Sequence, residues 1–268
     1  MAAKLRFTIL GCGSSPGVPR PNGDWGSCDP MDPRNRRSRA SMLVERITEQ
    51  GTTTVVIDTG PDFRHQMINA RVWKLDAAVY THPHADHIHG IDDLRTYVLD
   101  KRRLMDIYAD SSTMRRLEEG FGYCFKTPAG SSYPPILKAH LIEHDQSFHI
   151  EGDGGTIAFL PLPQHHADIV SLGFRAGNVA YCSDVSGFPA ETLERLRGLD
   201  VLIIDALQYR PHPSHFSLSE SLAWIEQLKP TRAILTHMHV PLDYQTVQQE
   251  TPDHVEPAYD GLSFEIDD

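Results

Sequence analysis

A chain of 268 residues, 40% hydrophobic and 23% charged, has the composition of a globular protein and the length to bury one substantial core. Its formal net charge of -11 sets the whole-molecule field against long nucleic acid and acidic membranes, so an anionic ligand must be met by local cations or metal. Four scattered cysteines without a CxxC pair argue against a disulfide framework and for a reducing cytoplasm, and fifteen histidines are the compositional anomaly.

The opening MAAKLRFTILGCGSS has an apolar run only from Leu5 to Leu10, broken by Arg6 and Thr8. That is too short for a signal sequence or a membrane span, so a cytoplasmic, membrane-free protein is expected. Strands are predicted at LRFTIL (5–10), SMLVER (41–46), TTVVID (53–58), DAAVYT (76–81) and DIYA (106–109). Others follow at TIAFLPL (156–162), IVSLGFRA (169–176), NVAYCS (178–183), DVLIID (200–205) and RAILTH (232–237). Several are continuously apolar and end in Asp, Thr or His, as buried strands do when they deliver polar groups at their C-terminal ends. After the first strand, Gly11–Cys12–Gly13–Ser14–Ser15–Pro16 has Pro where a dinucleotide fingerprint needs its third glycine, and no helix follows. A Rossmann phosphate turn is therefore rejected.

Arg34, Arg36, Arg37 and Arg39 read as a solvated basic loop, from which one or two guanidiniums could reach a substrate phosphate. Residues 110–150 contain the aperiodic FGYCFKTPAGSSYPP and are expected to form a long loop, either a lid or pocket wall or a surface excursion. Its Phe121, Tyr123, Phe125 and Tyr133 could stack on a sugar or base. GDGG (152–155) predicts a hairpin turn, and Pro189 to Leu196, followed by Gly198, predicts a helix. Ser217 to Glu220 is a capping box ahead of an apolar face of Leu218, Leu222, Ile225 and Leu228. Strands alternating with helices, without linker or repeat, predict an α/β protein with a single domain over 1–268.

THPHADHIHG (81–90) packs His82, His84, Asp86 and His87 into a loop leaving the strand DAAVYT. Imidazole and carboxylate together suit Zn, Mn or Fe better than Ca or Mg. His82 and His84, two apart in extended chain, can face one side, while Asp86 and His87 turn elsewhere toward a second ion. His89 falls in the first turn of the following helix HGIDDLRTYV, with no ligand role.

THPHADH resembles the THxHxDH signature of the metallo-β-lactamase superfamily. PLPQHHAD (161–168), YCSDVSGFP (181–189) and ILTHMH (234–239) match that superfamily's later motifs in order. The resemblance covers residues 5–266 and implies a four-layer αββα sandwich with two divalent metal ions, Zn or Mn, at one edge. It assigns His82, His84 and His166 to the first ion, Asp86, His87 and His237 to the second, and Asp184 as the bridge. His166 is chosen over His165 because neighbours in extended chain point to opposite sides and its distance to Gly173–Phe174 matches the family. Asp58, in VVIDTGPDF, resembles a strand-end aspartate that orients a ligand histidine; a helix N-cap before Pro61 is the alternative.

The superfamily hydrolyses lactams, thioesters, lactones and phosphodiesters, so the fold does not choose the reaction. LGCGSSPGVPRP (10–21), SDVSGFP, DALQ and HFSL resemble the phosphodiesterase branch, above all the phosphoribosyl cyclic phosphate phosphodiesterases. With a phosphate turn rejected, a tight loop beside the metal edge is the remaining reading of the Gly-rich opening. The likeness also implies a hydroxide bridging the two metals as nucleophile, with His215 as the general acid and His212 as the competing assignment. The expected substrate is a small cyclic phosphate or nucleotide-like phosphodiester, not long nucleic acid, and the residues that bind it are not readable. Thioester or lactone hydrolysis and non-catalytic nucleotide binding are the rival readings. Cys28 in WGSCDP stands alone where some relatives carry a cysteine-rich structural zinc site, which argues against a third metal there. A homodimer is compatible with the sequence.

Overall fold

The structure is a computed structural model that describes residues 3–101 and 103–268. The chain forms two compact units, the first from the segments ending at Thr8, Ser41–Ala158 and Ser263–Asp268, the second from Ile9–Ala40 and Phe159–Leu262. Each contains most of one mixed sheet.

In chain order the elements begin with β1 (Lys4–Gly11), β2 (Ser41–Thr48), β3 (Gly51–Ile57), α1 (Phe63–Asn69), β4 (Ala77–Val79), α2 (Ala85–Ile88) and α3 (Arg95–Lys101). They continue with β5 (Met105–Ala109), α4 (Ser111–Phe125), β6 (Leu137–Leu141) and β7 (Phe148–Ile150). β2 and β3 form an antiparallel hairpin, and β3, β4, β5 and β6 then run parallel, with Ile57 opposite Val79 and Val79 opposite Tyr108. Val55 to Ile57 and Ala77 to Val79 are fully buried, as expected of parallel strands covered on both faces. Parallel pairing in this register brings Asp58 and the Tyr80–Thr81–His82 segment out at the same edge.

The second unit contains β8 (Ile157–His166) from Phe159 on, β9 (Ile169–Ala176), β10 (Val179–Cys182), α5 (Ala190–Arg195), β11 (Val201–Asp205), α6 (Leu218–Leu228), β12 (Arg232–Thr236), α7 (Tyr244–Glu250) and β13 (Val255–Pro257). β10 to β13 are parallel, with Cys182 opposite Ile204 and Asp205 opposite Thr236. β8 reaches β10 through two antiparallel pairings and so runs in the same direction. His166, Asp184, Asp205 and His237 therefore all leave strand ends on one edge. The chain closes with β14 (Ser263–Asp267), antiparallel to β1 in the first unit.

α6 has the predicted capping box, with Ser217 accepting from the Glu220 N–H and the Glu220 side chain bonded back to Ser217. The GDGG turn is closed by the Gly155 N–H on the Gly152 carbonyl at 3.0 Å. Three expectations need correction. Residues 110–150 are not one long loop: Asp110 caps α4 by accepting from the Thr113 N–H, and α4 buries Met114, Leu117 and Cys124 at helical spacing. Phe121 alone leaves helical dihedrals there, with φ -131°. HGIDDLRTYV is not one helix either. Gly90 is pressed against the loop after β3, donating to the Thr59 carbonyl, and a Cβ there would run into the Gly60 carbonyl. The helix breaks at that approach, so His89 is the C-cap of α2 rather than part of a following first turn.

The expectation of a solvated basic loop fails at Arg37, while Arg36 is exposed. Arg37 is buried and bonded to Asn35, Arg34 pairs with Asp32 and lies over the Tyr244 ring, and Arg36 lies over Trp25. Cys28 is buried against Val18 and Val240, and among the described residues no metal-capable group includes it.

Asp260 ties the segment after β1 to residue 38, accepting from the Cys12 N–H and from the Ser38 N–H and hydroxyl. Burial pushes its carboxyl from the ordinary 3.8 up to about 6. The folded chain thus holds this proton more tightly than the unfolded one, so the stabilisation is complete below about 3.8 and is lost as pH rises through about 6. Relative to Asp260→Asn, the wild type should lose roughly 2–3 kcal/mol between pH 4 and 7, read from urea midpoints of both proteins. A pH-independent difference would refute this.

Candidate functional site

In the first unit, Asp58 leaves β3 with a left-handed backbone, φ 65°. Its buried carboxylate accepts the Thr81 N–H at 2.8 Å and the Thr81 hydroxyl at 2.7 Å, and lies 2.7 Å from His87 Nδ1. Burial pushes this carboxyl upward, against the opposing pull of His87 and Thr81. With the carboxylate as acceptor, His87 carries its proton on Nδ1, leaving Nε2 as a ligand nitrogen. The Thr81 hydroxyl, having given its proton to Asp58, can accept from His82 Nδ1 at 3.0 Å. His82 Nε2 then lies 2.9 Å from His84 Nδ1, and Asp86 Oδ2 lies 3.4 Å from His87 Nε2. One buried aspartate thereby sets two ring orientations. Asp58 does not cap a helix; the N-cap of α1 is Asp62. His89 is exposed, its ring edge-on to Phe121.

In the second unit, His166 at the end of β8 is buried and donates from Nδ1 to the Ser214 carbonyl at 2.7 Å, while His165 is exposed. Asp184 Oδ2 lies 3.9 Å from His166 Nε2 and 3.4 Å from His237 Nε2, and the Ser183 hydroxyl supports the other oxygen at 2.7 Å. Asp184 and His237 also have positive φ, 55° and 56°. Such conformations cost on the order of 1–3 kcal/mol each in an ordinary residue and persist where the surroundings over-determine them.

His215 Nδ1 lies 2.6 Å from Asp205 Oδ2, and its ring stacks on that of His237 at 4.6 Å with a 12° tilt. Asp205 also receives the Val185 N–H at 3.0 Å, and its other oxygen lies 3.7 Å from His237 Nδ1. Burial raises the Asp205 carboxyl and the neighbouring His215 opposes it. His215 and His237 line a cavity of about 340 Å³ within this unit, with His212, His239, Ser14 and Arg20 among the other walls. Burial lowers the His212 pKa, with a further push from His215. The Gly-rich opening supplies Ser14: Gly13 must be glycine because a Cβ would meet the Arg37 and Ser38 carbonyls at 2.9 Å.

Two groupings within this unit can each hold an ion: His166, Asp184 and His215, and Asp205, His215 and His237. The donor set fits a divalent transition metal, since imidazoles and carboxylates converge and the Nδ1 atoms of His166 and His215 are already engaged. Sequence reasoning missed Asp205, although DVLIID ends in the same apolar-strand aspartate as TTVVID. It also missed Arg20 and His239 as cavity walls; nothing in their local sequence marks them. Among the described residues, no helix is long and apolar enough to cross a membrane.

Residues 53–238 match the family model described as the beta-lactamase superfamily domain. The chain is 33% identical over 269 residues to an octanoyltransferase of Porphyromonas gingivalis (strain ATCC BAA-308 / W83), covering 98% of this chain and 52% of that protein. It is 26% identical over 141 residues to the Beta-lactamase-like protein 2 homolog of Caenorhabditis elegans, covering 50% and 41%. The chain thus spans about half the length of the curated relatives it matches. Among solved structures, a diphosphatase from the PhnP family superposes with a TM-score of 0.88 at 35% identity, over 99% of this chain and 98% of that one. Zn(2+)-bound PqqB from Methylobacterium extorquens (TM-score 0.72, 17% identity, 97% and 100% covered) shares the fold. So does the short form of human tRNase Z (0.61, 16%, 97% and 98%). The fold class is accordingly α/β, the αββα metallo-β-lactamase sandwich, and the chain belongs to the beta-lactamase superfamily, in its phosphodiesterase branch.

Proposed function

We propose that the chain is a metal-dependent hydrolase of small phosphodiesters. On this reading His82, His84 and His166 would hold one divalent ion, Asp86, His87 and His237 would hold a second, and Asp184 would serve both. Bound ions supply positive charge to the attacked phosphoryl group and lower the pKa of water at the site. The observation that carries the reading is the Asp205–His215 pair on the cavity wall. Asp205 fixes the proton of His215 on Nδ1 in the neutral ring, so Nε2 is the nitrogen that can take up and deliver a proton to a leaving oxygen. Asp58 and Thr81 hold His87 and His82 in single orientations. The likeness to a PhnP-family diphosphatase extends the substrate class to diphosphate esters.

A thioester or lactone hydrolase would want apolar walls without cations. The wall of imidazoles and the Arg20 guanidinium favours an anionic ester instead. The substrate is a small cyclic phosphate or nucleotide-like ester taken up in the cytoplasm, without long nucleic acid or membrane as partner.

The test is turnover of bis-p-nitrophenyl phosphate, 2′,3′-cyclic nucleotides, ribosyl cyclic phosphates and a dinucleoside diphosphate, with zinc or manganese and with chelator. Chelator-sensitive hydrolysis of at least one is expected, and no turnover by the fully metallated protein would sink the reading. Asp205→Asn should lower kcat on a cyclic nucleotide by roughly 10²–10⁴-fold. The amide keeps the shape but can hold the wrong His215 tautomer, as in hydrolases where a buried aspartate orients the general base. Unchanged steady-state rates would count against the pair.

A further inference from the structure

His239 joins two walls of the second unit's cavity. Its Nε2 lies 2.6 Å from Arg20 Nη2, and its Nδ1 lies 2.7 Å from Ser14 Oγ. Arginine has donors and no acceptor, so the short contact requires Nε2 to be the bare, accepting nitrogen of a neutral ring. A doubly protonated ring would set N–H against N–H. Nδ1 then carries the proton and donates it to Ser14 Oγ. An oxygen accepting that bond has its own hydrogen to give, and His239 is the hydrogen-bond partner found for Ser14 Oγ among the described residues. Ser14 is 2% exposed and lines the cavity with His215 and His237. Arg20 is anchored in turn by Asp24 at 2.8 Å, so the relay starts from a fixed cation.

We propose that Arg20, through His239, holds Ser14 as a hydroxyl donor to an anionic phosphoryl oxygen of the substrate. Ser14 is then a substrate-binding residue, and Arg20 and His239 are positioning residues acting through it. This rests on the phosphodiester reading given above. It adds a recognition group from the Gly-rich opening, where Gly13 allows the chain to pass close to the Arg37 and Ser38 carbonyls.

Three measurements test it on the zinc-loaded protein. Nitrogen-15 spectra of labelled histidine should show His239 protonated at Nδ1 in the wild type and shifted toward the Nε2–H form in Arg20→Ala. A wild-type ring protonated at Nε2, or no change in the variant, overturns the relay. Inorganic phosphate should bind about tenfold more weakly to Ser14→Ala, the usual scale for a lost hydrogen bond to a charged group, and Ser14→Thr should recover most of it. Equal phosphate affinity in Ser14→Ala and wild type overturns the donor role. With a phosphodiester substrate, Ser14→Ala should raise KM by a similar factor with a smaller effect on kcat, while Arg36→Ala, whose side chain lies over Trp25, changes neither; a loss confined to kcat would overturn a binding role. If the wild type turns over no phosphodiester, the functional reading fails by itself, and the spectra and phosphate affinities still decide the relay.

Discussion

His215→Gln is expected to slow hydrolysis of a 2′,3′-cyclic nucleotide by roughly 10²–10⁴-fold while slowing bis-p-nitrophenyl phosphate by less than about tenfold. The two substrates differ in what leaves. A ribose alkoxide is strongly basic and needs a proton as its bond to phosphorus breaks, whereas p-nitrophenolate departs as a stable anion. A group that donates that proton matters for the first and little for the second; a group that only binds phosphate or shapes the cavity matters equally for both. The position of His215, 2.6 Å from Asp205 and stacked on His237, supports the first role. Glutamine retains a hydrogen-bonding side chain without an ionisable nitrogen, so packing against the His166 and His237 rings is disturbed least. Rates measured across a series of aryl and alkyl esters would show the difference as a steeper dependence on leaving-group basicity in the variant. Equal losses across the series would remove His215 as the acid, and the same experiment on His212→Gln tests the exposed competitor.

Asp184→Asn should cost at least about 10³-fold in activity and lower the metal content of the purified protein, measured by elemental analysis. Asparagine keeps the volume and, like aspartate, tolerates the left-handed backbone at φ 55°, so the fold should survive with little loss of thermal stability. What disappears is the negative charge between His166 Nε2 and His237 Nε2, which lie 3.9 and 3.4 Å from Asp184 Oδ2. Asp184→Ala adds a second defect, because a Cβ-bearing residue without a local polar side chain is strained at positive φ by about 1–2 kcal/mol. Comparing the two separates the charge from the backbone. Full metal occupancy and activity in Asp184→Asn would rule out a shared ligand at this position.

The HxHxDH run was legible because His82, His84, Asp86 and His87 lie within one loop, and their convergence needs little tertiary information. Apolar strands ending in Asp or His were legible for the same local reason. Asp205 was not. A strand-final aspartate looks like a helix cap or a solvated end until its partner is known, and His215 arrives only after a ten-residue excursion. α4 was hidden because its buried positions Met114, Leu117 and Cys124 are interleaved with glycines and aromatics that lower helix propensity, and tertiary burial overrode that propensity. β14 escaped although SFEID alternates polar and apolar residues, because two apolar positions in five residues are a short signal; its place is fixed by pairing with β1 and by Phe264 stacking on Phe7. Arg37 was misread as solvated because sequence shows its charge and not the Asn35 side-chain oxygen Oδ1 that receives it.

The left-handed backbones at Asp58, Asp184 and His237 bear on transplantation. Copying these side chains onto the strand ends of another parallel sheet would not reproduce the site. In an ordinary extended exit each carboxylate or imidazole would leave its strand in a different direction, and the sheet would gain nothing by turning it. The parts that must travel with them are the neighbours that hold the turn: the Thr59 amide bonded to the His87 carbonyl, the Val185 amide on Asp205, and the Met238 amide on the Cys12 carbonyl. A grafted site is therefore defined by three peptide geometries as much as by its donor atoms, and a design that matches only the donors should bind metal weakly, if at all.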